Sequence, residues 1–147
     1  MPDRVLKELD VVVASIHSGF KNSKEKITQR MMNAMENENV DIIAHPTGRL
    51  ITKRESYEID LERIFDKATE TKTIMEINSY PERIDLRDIH VRAAVRNGVK
   101  LVISTDAHSA DQLYFIKFGI GTARRGWAKK EDIINSWPLK DFIKFLK

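Results

Sequence analysis

Three of the four histidines in this 147-residue chain come directly after a short aliphatic segment. His17 follows Val-Val-Val-Ala-Ser-Ile, His45 follows Asp-Ile-Ile-Ala, and His108 follows Leu-Val-Ile-Ser-Thr-Asp-Ala. Asp106 lies two residues before His108, so both side chains can point to the same face of an extended segment. Neutral imidazoles and a carboxylate are suitable ligands for Zn²⁺, Mn²⁺ or Fe²⁺. These residues therefore predict a divalent metal site.

Metal-assisted hydrolysis of phosphoesters is the chemistry that this ligand set favours. Two or more divalent ions a few ångströms apart can activate water as the nucleophile and neutralise the oxygens of a phosphate. Glu76 and Asn78 repeat the two-residue spacing at the end of a third aliphatic segment, which gives this segment polar groups at its end as well. Three arginines are candidates for holding substrate phosphates: Arg49, Arg124 and Arg125.

The segments that carry these residues alternate between strand and helix patterns. Four segments have the length and composition of buried strands, over residues 11–17, 40–45, 73–78 and 100–106. Helices are predicted after an N-cap at Ser23, over about 58–71 and 85–97, and near 111–118, 130–135 and 139–146, with a glycine-rich turn at Gly119, Gly121 and Gly126. This alternation predicts an α/β fold of repeated βα units with parallel strands. The carboxyl ends of parallel strands share one edge, where the site residues are expected to meet.

The composition excludes several classes of protein. No cysteine is present, which excludes disulfide frameworks, cysteine-based zinc sites, iron–sulfur clusters and thiol nucleophiles. The net charge is +3, and residues 119–147 carry seven Lys and Arg against three Asp and Glu. Such a basic segment favours phosphate-bearing partners, although surface lysines also serve solubility. No apolar segment approaches the roughly 20 residues of a membrane span and the N-terminus lacks a signal layout, so we expect a cytoplasmic domain without membrane contact.

Five segments resemble, in chain order, the PHP (polymerase and histidinol phosphatase) domain at the C-terminus of bacterial and archaeal family X DNA polymerases. They are Ser15-Ile16-His17-Ser18-Gly19-Phe20, Ala44-His45-Pro46-Thr47-Gly48-Arg49-Leu50, Met75-Glu76-Ile77-Asn78, Ser104-Thr105-Asp106-Ala107-His108-Ser109 and Gly121-Thr122-Ala123-Arg124-Arg125-Gly126-Trp127. The similarity runs over essentially all 147 residues. Each motif is short, and the family is identified because all five motifs occur in the same order along the chain.

The resemblance implies the C-terminal part of a distorted seven-stranded β/α (TIM-like) barrel, with up to three metal ions, Mn²⁺ or Zn²⁺, at its C-terminal rim. It also implies a Mn²⁺-dependent 3′-to-5′ exonuclease or related DNA-end phosphoesterase acting in DNA repair. His17 and His45 match ligands of one ion, Asp106 matches a ligand of the neighbouring ion, and His108 matches a ligand of a third. Glu76 and Asn78, on the third predicted strand, match a strand end that the resemblance implies has a supporting role.

The sequence departs from the family pattern at its N-terminal end. The family barrel opens with a His-x-His strand, further His ligands and a bridging acidic residue, and none of these precedes Met1. The helix-hairpin-helix and polymerase regions that precede the domain in the family are absent as well. We therefore expect residues 1–147 to be a single, N-terminally truncated PHP domain that holds fewer ions than a complete one. Its expected partners are DNA, the missing N-terminal regions, and a second copy paired through open sheet edges.

Three functions stay open on the sequence alone. The first is a metal-dependent phosphoesterase of DNA ends, which is favoured for the parent protein, whereas the second function is favoured for the isolated chain. The second is a non-catalytic structural or nucleic-acid-contacting module with an incomplete metal site. The third is a small-molecule phosphatase of the histidinol phosphate kind, which fits the metal motifs but not the Thr-Ala-Arg-Arg-Gly-Trp segment.

Overall fold

Four parallel strands form one sheet in the computed structural model, which describes residues 1–146. In chain order, which is also their order in the sheet, they are β1 (Val13–Ala14), β2 (Ile42–Ile43), β3 (Ile74–Asn78) and β4 (Leu101–Ser104). In the central register, Ile42 pairs with Val13 on one side and with Ile74 on the other. The predicted α/β fold with parallel strands is confirmed. The described part of the chain holds four strands, and the seven-stranded barrel stays a prediction.

Helices alternate with the strands along the chain. They are α1 (Asp3–Leu6), α2 (Lys24–Glu36), α3 (Leu61–Thr71), α4 (Asp88–Arg96), α5 (Ile116–Arg125) and α6 (Leu139–Phe145), with 3-10 segments at Ala110–Phe115, Lys130–Asp132 and Ile134–Ser136. The N-cap predicted at Ser23 is confirmed, since its hydroxyl accepts the N–H of Lys26 at 3.4 Å. Asp60 caps α3 in the same way through Arg63. None of the helices within residues 1–146 is long and apolar enough to cross a bilayer.

The predicted glycine-rich turn is wrong, because Gly119 and Gly121 lie inside α5. Gly119 is buried, and a Cβ at this position would overlap the side chains of Ser79 and Ile103. The missing side chain therefore lets α5 pack directly on the ends of β3 and β4. Of the three glycines, Gly126 alone follows the helix, as its C-cap.

The two faces of the sheet bury different side chains, because neighbouring residues on a strand point in opposite directions. One face, with Met75 and Ile77 of β3, joins the main core. The main core also includes buried residues of α2, α3 and α4: Ile27, Met31, Met35, Ile64, Phe65, Ala68, Val91 and Ala94. On the other face, Ile74 packs with Ile134 and with the C-terminal aromatic residues Trp137, Phe142 and Phe145. Further along this second face, β3 carries polar side chains in place of apolar ones.

The two edges of the sheet differ, which corrects the expectation that both are open. Beside β4, Ile133 forms a parallel bridge with Leu101. The side chain of Asn135 accepts the N–H of Ile103 at 3.2 Å and donates to its carbonyl at 2.8 Å, as a neighbouring strand would. The opposite edge is β1, where the side chain of Val13 is 54% exposed. An edge of this kind is the place where another strand can pair.

Candidate active site

Polar side chains gather at the carboxyl edge of the sheet, as the sequence predicts. His17 comes three residues after β1, and His45 and Asp106 each come two residues after their strands, β2 and β4. Asn78 is the last residue of β3 and is fully buried. Because the four strands are parallel, these residues all lie at the same edge.

His17 and His45 form a ring pair at this edge. Their ring centroids are 5.2 Å apart and their planes are nearly perpendicular, at 77°. His45 is buried, and its Nδ1 has no hydrogen-bond partner among the described residues. Burial, assisted by the charge of Arg83, lowers the pKa of His45 to about 4. At neutral pH the imidazole is therefore uncharged, which is the form that binds metal ions.

Glu76 holds the backbone of His45 in place. One carboxylate oxygen, Oε2, accepts the N–H of His45 at 2.5 Å and an amide hydrogen of Asn78 at 3.3 Å. The other, Oε1, accepts the hydroxyl of Ser104. Burial raises the pKa of Glu76, and these hydrogen bonds oppose the rise. Glu76 thus links the ends of β2, β3 and β4, a position from which it can orient His45.

Asp106 and His108 form a second pair, after β4. The Nδ1 of His108 lies 2.7 Å from the main-chain oxygen of Asp106. A carbonyl can only accept, so Nδ1 carries a hydrogen, and in the neutral form of the ring Nε2 carries the lone pair. The carboxylate of Asp106 lies 3.4 Å from the guanidinium Nε of Arg83. One anionic group, one free imidazole nitrogen and one cation therefore meet beside β4.

An open groove of about 340 Å³ lies beside this second pair. It is lined by Leu50, Tyr80, Glu82, Arg83, Asp106, His108 and Gln112. Lys53 neutralises Glu82 through a 2.7 Å ion pair, and Tyr80 packs edge-on against Phe115. The groove is large enough for a small phosphoester, and its walls provide charged, polar and aromatic contacts.

Two of the three arginines proposed as phosphate ligands have other contacts in the structure. Arg49 donates through Nε and Nη2 to the main-chain carbonyls of residues 83 and 84, at 2.8 and 2.6 Å. Arg125 contacts one carboxylate oxygen of Asp88 through Nε and Nη2, both at 2.9 Å. Arg124 is exposed in the last turn of α5. Their role toward phosphate stays a prediction.

Sequence reasoning missed the loop after β3, which carries Arg83 and Asp85. Asp85 is fully buried, and its two carboxylate oxygens lie 3.2 and 3.0 Å from the N–H of Thr47, which donates to them. Asp85 also exchanges main-chain hydrogen bonds with Asn78 at 2.5 and 3.2 Å. This loop therefore fixes the segment that follows His45. The position of this loop in the sequence was the signal that could have identified it, because loops at the carboxyl ends of parallel strands carry residues that bind ligands.

The donor set fits a divalent metal ion, although the ligands stand in pairs. Within residues 1–146, no group of three or more His, Cys, Asp or Glu side chains is arranged to hold an ion as it stands. The candidates form two pairs, His17 with His45 and Asp106 with His108. A buried neutral imidazole with an unpartnered nitrogen and a carboxylate at the same edge are nevertheless the groups that Mn²⁺ and Zn²⁺ prefer.

The fold and the site define an α/β protein of repeated βα units whose histidine and carboxylate side chains lie at the carboxyl edge of a parallel sheet. The chain is 47% identical over 145 residues to the DNA polymerase/3′-5′ exonuclease PolX of Bacillus subtilis strain 168, a match that covers 99% of this chain and 25% of that protein. No family model matches the chain.

Probable phosphatases of two other bacteria are related as well. One, from Caldanaerobacter subterraneus, is 35% identical over 117 residues, covering 74% of this chain and 44% of the phosphatase. Another, from Thermoanaerobacter sp., is 33% identical over 155 residues, covering 98% of this chain and 61% of the phosphatase. The chain thus spans a quarter of PolX and about half of these phosphatases. The matches confirm the resemblance to the PHP domain of family X DNA polymerases.

Proposed function

We propose that this chain is the metal-dependent phosphoesterase module of a PolX protein, acting as a 3′-to-5′ exonuclease on DNA ends during repair. The names of its relatives, a polymerase/exonuclease and several probable phosphatases, support hydrolysis of phosphoesters as the general chemistry. The observation that carries the proposal is the buried, unpartnered nitrogen of His45 beside His17, at the same edge as Asp106 and His108.

The four candidate ligands would be divided among up to three ions. His17 and His45 would bind the first, Asp106 the neighbouring one and His108 a third, with Mn²⁺ or Zn²⁺ as the metal. When bound, such ions polarise the phosphate and lower the pKa of water so that it can attack. The protein's own contribution is position, because Glu76 fixes the backbone of His45. Hydrogen bonds of this kind, from a residue beside a metal ligand, orient that ligand toward the metal.

The partners of the module are proposals as well. DNA fits the phosphoester chemistry and the exonuclease name of the relative. A polymerase region would belong to the same parent protein. A second copy of the chain would pair through β1, where Val13 is exposed.

A small-molecule phosphatase is the second candidate, because a probable phosphatase matches 98% of the chain. It differs from the first in substrate and shares the metal site. The comparison that separates the two is the rate on a phosphorylated amino alcohol against the rate on a DNA 3′ end.

The test of the exonuclease is digestion of 5′-labelled single-stranded DNA over a Mn²⁺ titration. We expect stepwise shortening from the 3′ end, loss of that activity in Asp106→Asn, and retention in Asp111→Asn, an exposed acidic residue of the next segment. Hydrolysis of histidinol phosphate without any DNA shortening would replace the exonuclease with the phosphatase. Absence of both activities in the folded chain would favour the non-catalytic module.

A further inference from the structure

Arg83 is the positively charged side chain of the groove beside Asp106. Its side chain is 17% exposed, and Nη1 is buried without a hydrogen-bond partner among the described residues. A buried guanidinium hydrogen that lacks an acceptor costs free energy, so the position is suited to an acceptor that arrives from outside. The groove is where such an acceptor can enter.

The contact between Arg83 and Asp106 is loose. Nε and Oδ2 are 3.4 Å apart, whereas charge-assisted hydrogen bonds of this type are typically about 2.7–2.9 Å long. The Asp106 side chain is 36% exposed, and it lines the groove together with Arg83. The interaction is therefore an ion pair that another cation or anion can replace.

The backbone of Arg83 is held by hydrogen bonds on both sides, whereas its guanidinium contacts Asp106 through the ion pair. The N–H of Arg83 donates to the carbonyl of Tyr80 at 2.7 Å, and its own carbonyl accepts Nε of Arg49 at 2.8 Å. Arg49 thus anchors the loop from which Arg83 reaches into the groove. Arg49, which the sequence suggested as a phosphate ligand, therefore supports Arg83, which lines the groove.

We propose that Arg83 has two partners in turn: it neutralises Asp106 when no metal is bound, and it binds the substrate phosphate once Asp106 serves as a metal ligand. This inference rests on the proposed function of the carboxyl edge. A divalent cation competes with Arg83 for the Asp106 carboxylate, and its binding releases a planar guanidinium beside the metal. Guanidinium groups bind phosphate oxygens in pairs, which makes a phosphate monoester or diester the ligand of this groove.

The two roles predict effects of opposite sign in one variant. In Arg83→Gln, the cation that competes with the metal is gone, so the dissociation constant for Mn²⁺ should fall by about threefold or more. The dissociation constant for a phosphate should rise by about tenfold, since a hydrogen bond to a charged group is lost. A residue that only stabilised the loop would weaken both affinities together.

The experiment measures Mn²⁺ binding by electron paramagnetic resonance and thymidine 5′-monophosphate binding by calorimetry at saturating Mn²⁺. Wild type, Arg83→Gln and Arg83→Lys are compared with Arg87→Gln, an exposed arginine just before α4. We expect tighter Mn²⁺ binding and weaker nucleotide binding in Arg83→Gln, partial recovery of nucleotide binding in Arg83→Lys, and no change in Arg87→Gln. Circular dichroism melting shows whether each variant is folded.

The outcomes separate this inference from the proposed function. If the wild type binds both Mn²⁺ and nucleotide but Arg83→Gln changes neither, or weakens both, the role of Arg83 is refuted and the metal site stands. If the folded wild type binds neither ligand, the proposed function and the inference are refuted together.

Discussion

Replacing the buried carboxyl group of Asp85 with an amide should change how stability depends on pH. Asp85 is fully buried between Thr47 and Asn78, and burial raises its pKa from the ordinary value of 3.8 to about 6. The hydrogen bonds from Thr47 and the charge of Arg49 oppose this rise without cancelling it. Asn at this position has nearly the same shape and does not titrate. The comparison with Asp85→Asn therefore isolates one ionisation.

The sign and size of the effect follow from proton linkage. Below pH 3.8 the carboxyl is protonated in both the folded and the unfolded chain. Between pH 3.8 and 6 the unfolded chain releases the proton while the folded chain keeps it, so stability falls as pH rises through this window. A shift of this size, at about 1.4 kcal/mol per pKa unit, corresponds to about 3 kcal/mol. Asp85→Asn should therefore gain stability relative to wild type by about 2–3 kcal/mol between pH 4 and pH 7.

Urea unfolding of both proteins at several pH values measures this difference. His45 and His90 titrate in the opposite sense, because burial lowers the pKa of each to about 4, but they do so in both proteins and cancel in the comparison. Asp88→Asn is the matched control with the reverse trend, since Arg125 lowers the pKa of Asp88. A difference between Asp85→Asn and wild type that stays constant over the pH range, or that moves in favour of wild type, would show that Asp85 is ionised in the folded protein.

Two further substitutions, each compared with a matched control substitution, test the packing. Asn135→Ala removes two hydrogen bonds to the main chain of Ile103 and should lower the free energy of unfolding by about 1–3 kcal/mol; an equal loss in the exposed Asn33→Ala would refute the special role of the β4 edge. Gly48→Ala should cost about 2 kcal/mol or more, because its φ is +62° and a Cβ would overlap the ring of Tyr57. The matched change Gly121→Ala, in an open part of α5, should instead stabilise by up to about 1 kcal/mol. Thermal or urea unfolding measures these changes in the free energy of unfolding. Equal effects of the two glycine substitutions would contradict the close packing of Gly48 against Tyr57.

The strands could be predicted from the sequence because each lies in a short aliphatic segment. The edge where the histidines meet could be predicted because the carboxyl ends of parallel strands lie at the same edge of a sheet. Each predicted strand overlaps an observed one, although β1 and β2 are shorter than their aliphatic segments. Ser23 was identifiable as a cap because capping is a local interaction. These features depend on residues close together in the chain.

Features that depend on distant contacts were missed or misassigned. Gly119 and Gly121 carry the usual signal for a turn, and only the contact of α5 with Ser79 explains a buried glycine inside the helix. Arg49 was a reasonable phosphate ligand by type, yet its donors are used by loop carbonyls 34 and 35 residues away in the chain. Arg83 and Asp85 were missed because their importance comes from Asp106 and Thr47, which no local pattern connects to them.

The most direct test of the account is whether the carboxyl edge of the sheet binds a divalent metal ion through His45. Mn²⁺ binding to the folded wild-type chain is measured by electron paramagnetic resonance and compared with His45→Asn and with His90→Asn, a histidine on α4. If His45 is a metal ligand, wild type and His90→Asn bind Mn²⁺ equally, and His45→Asn, while still folded, binds it at least tenfold more weakly. Equal Mn²⁺ binding by His45→Asn, or no binding by the folded wild type, would show that His45 does not hold a metal ion at this edge.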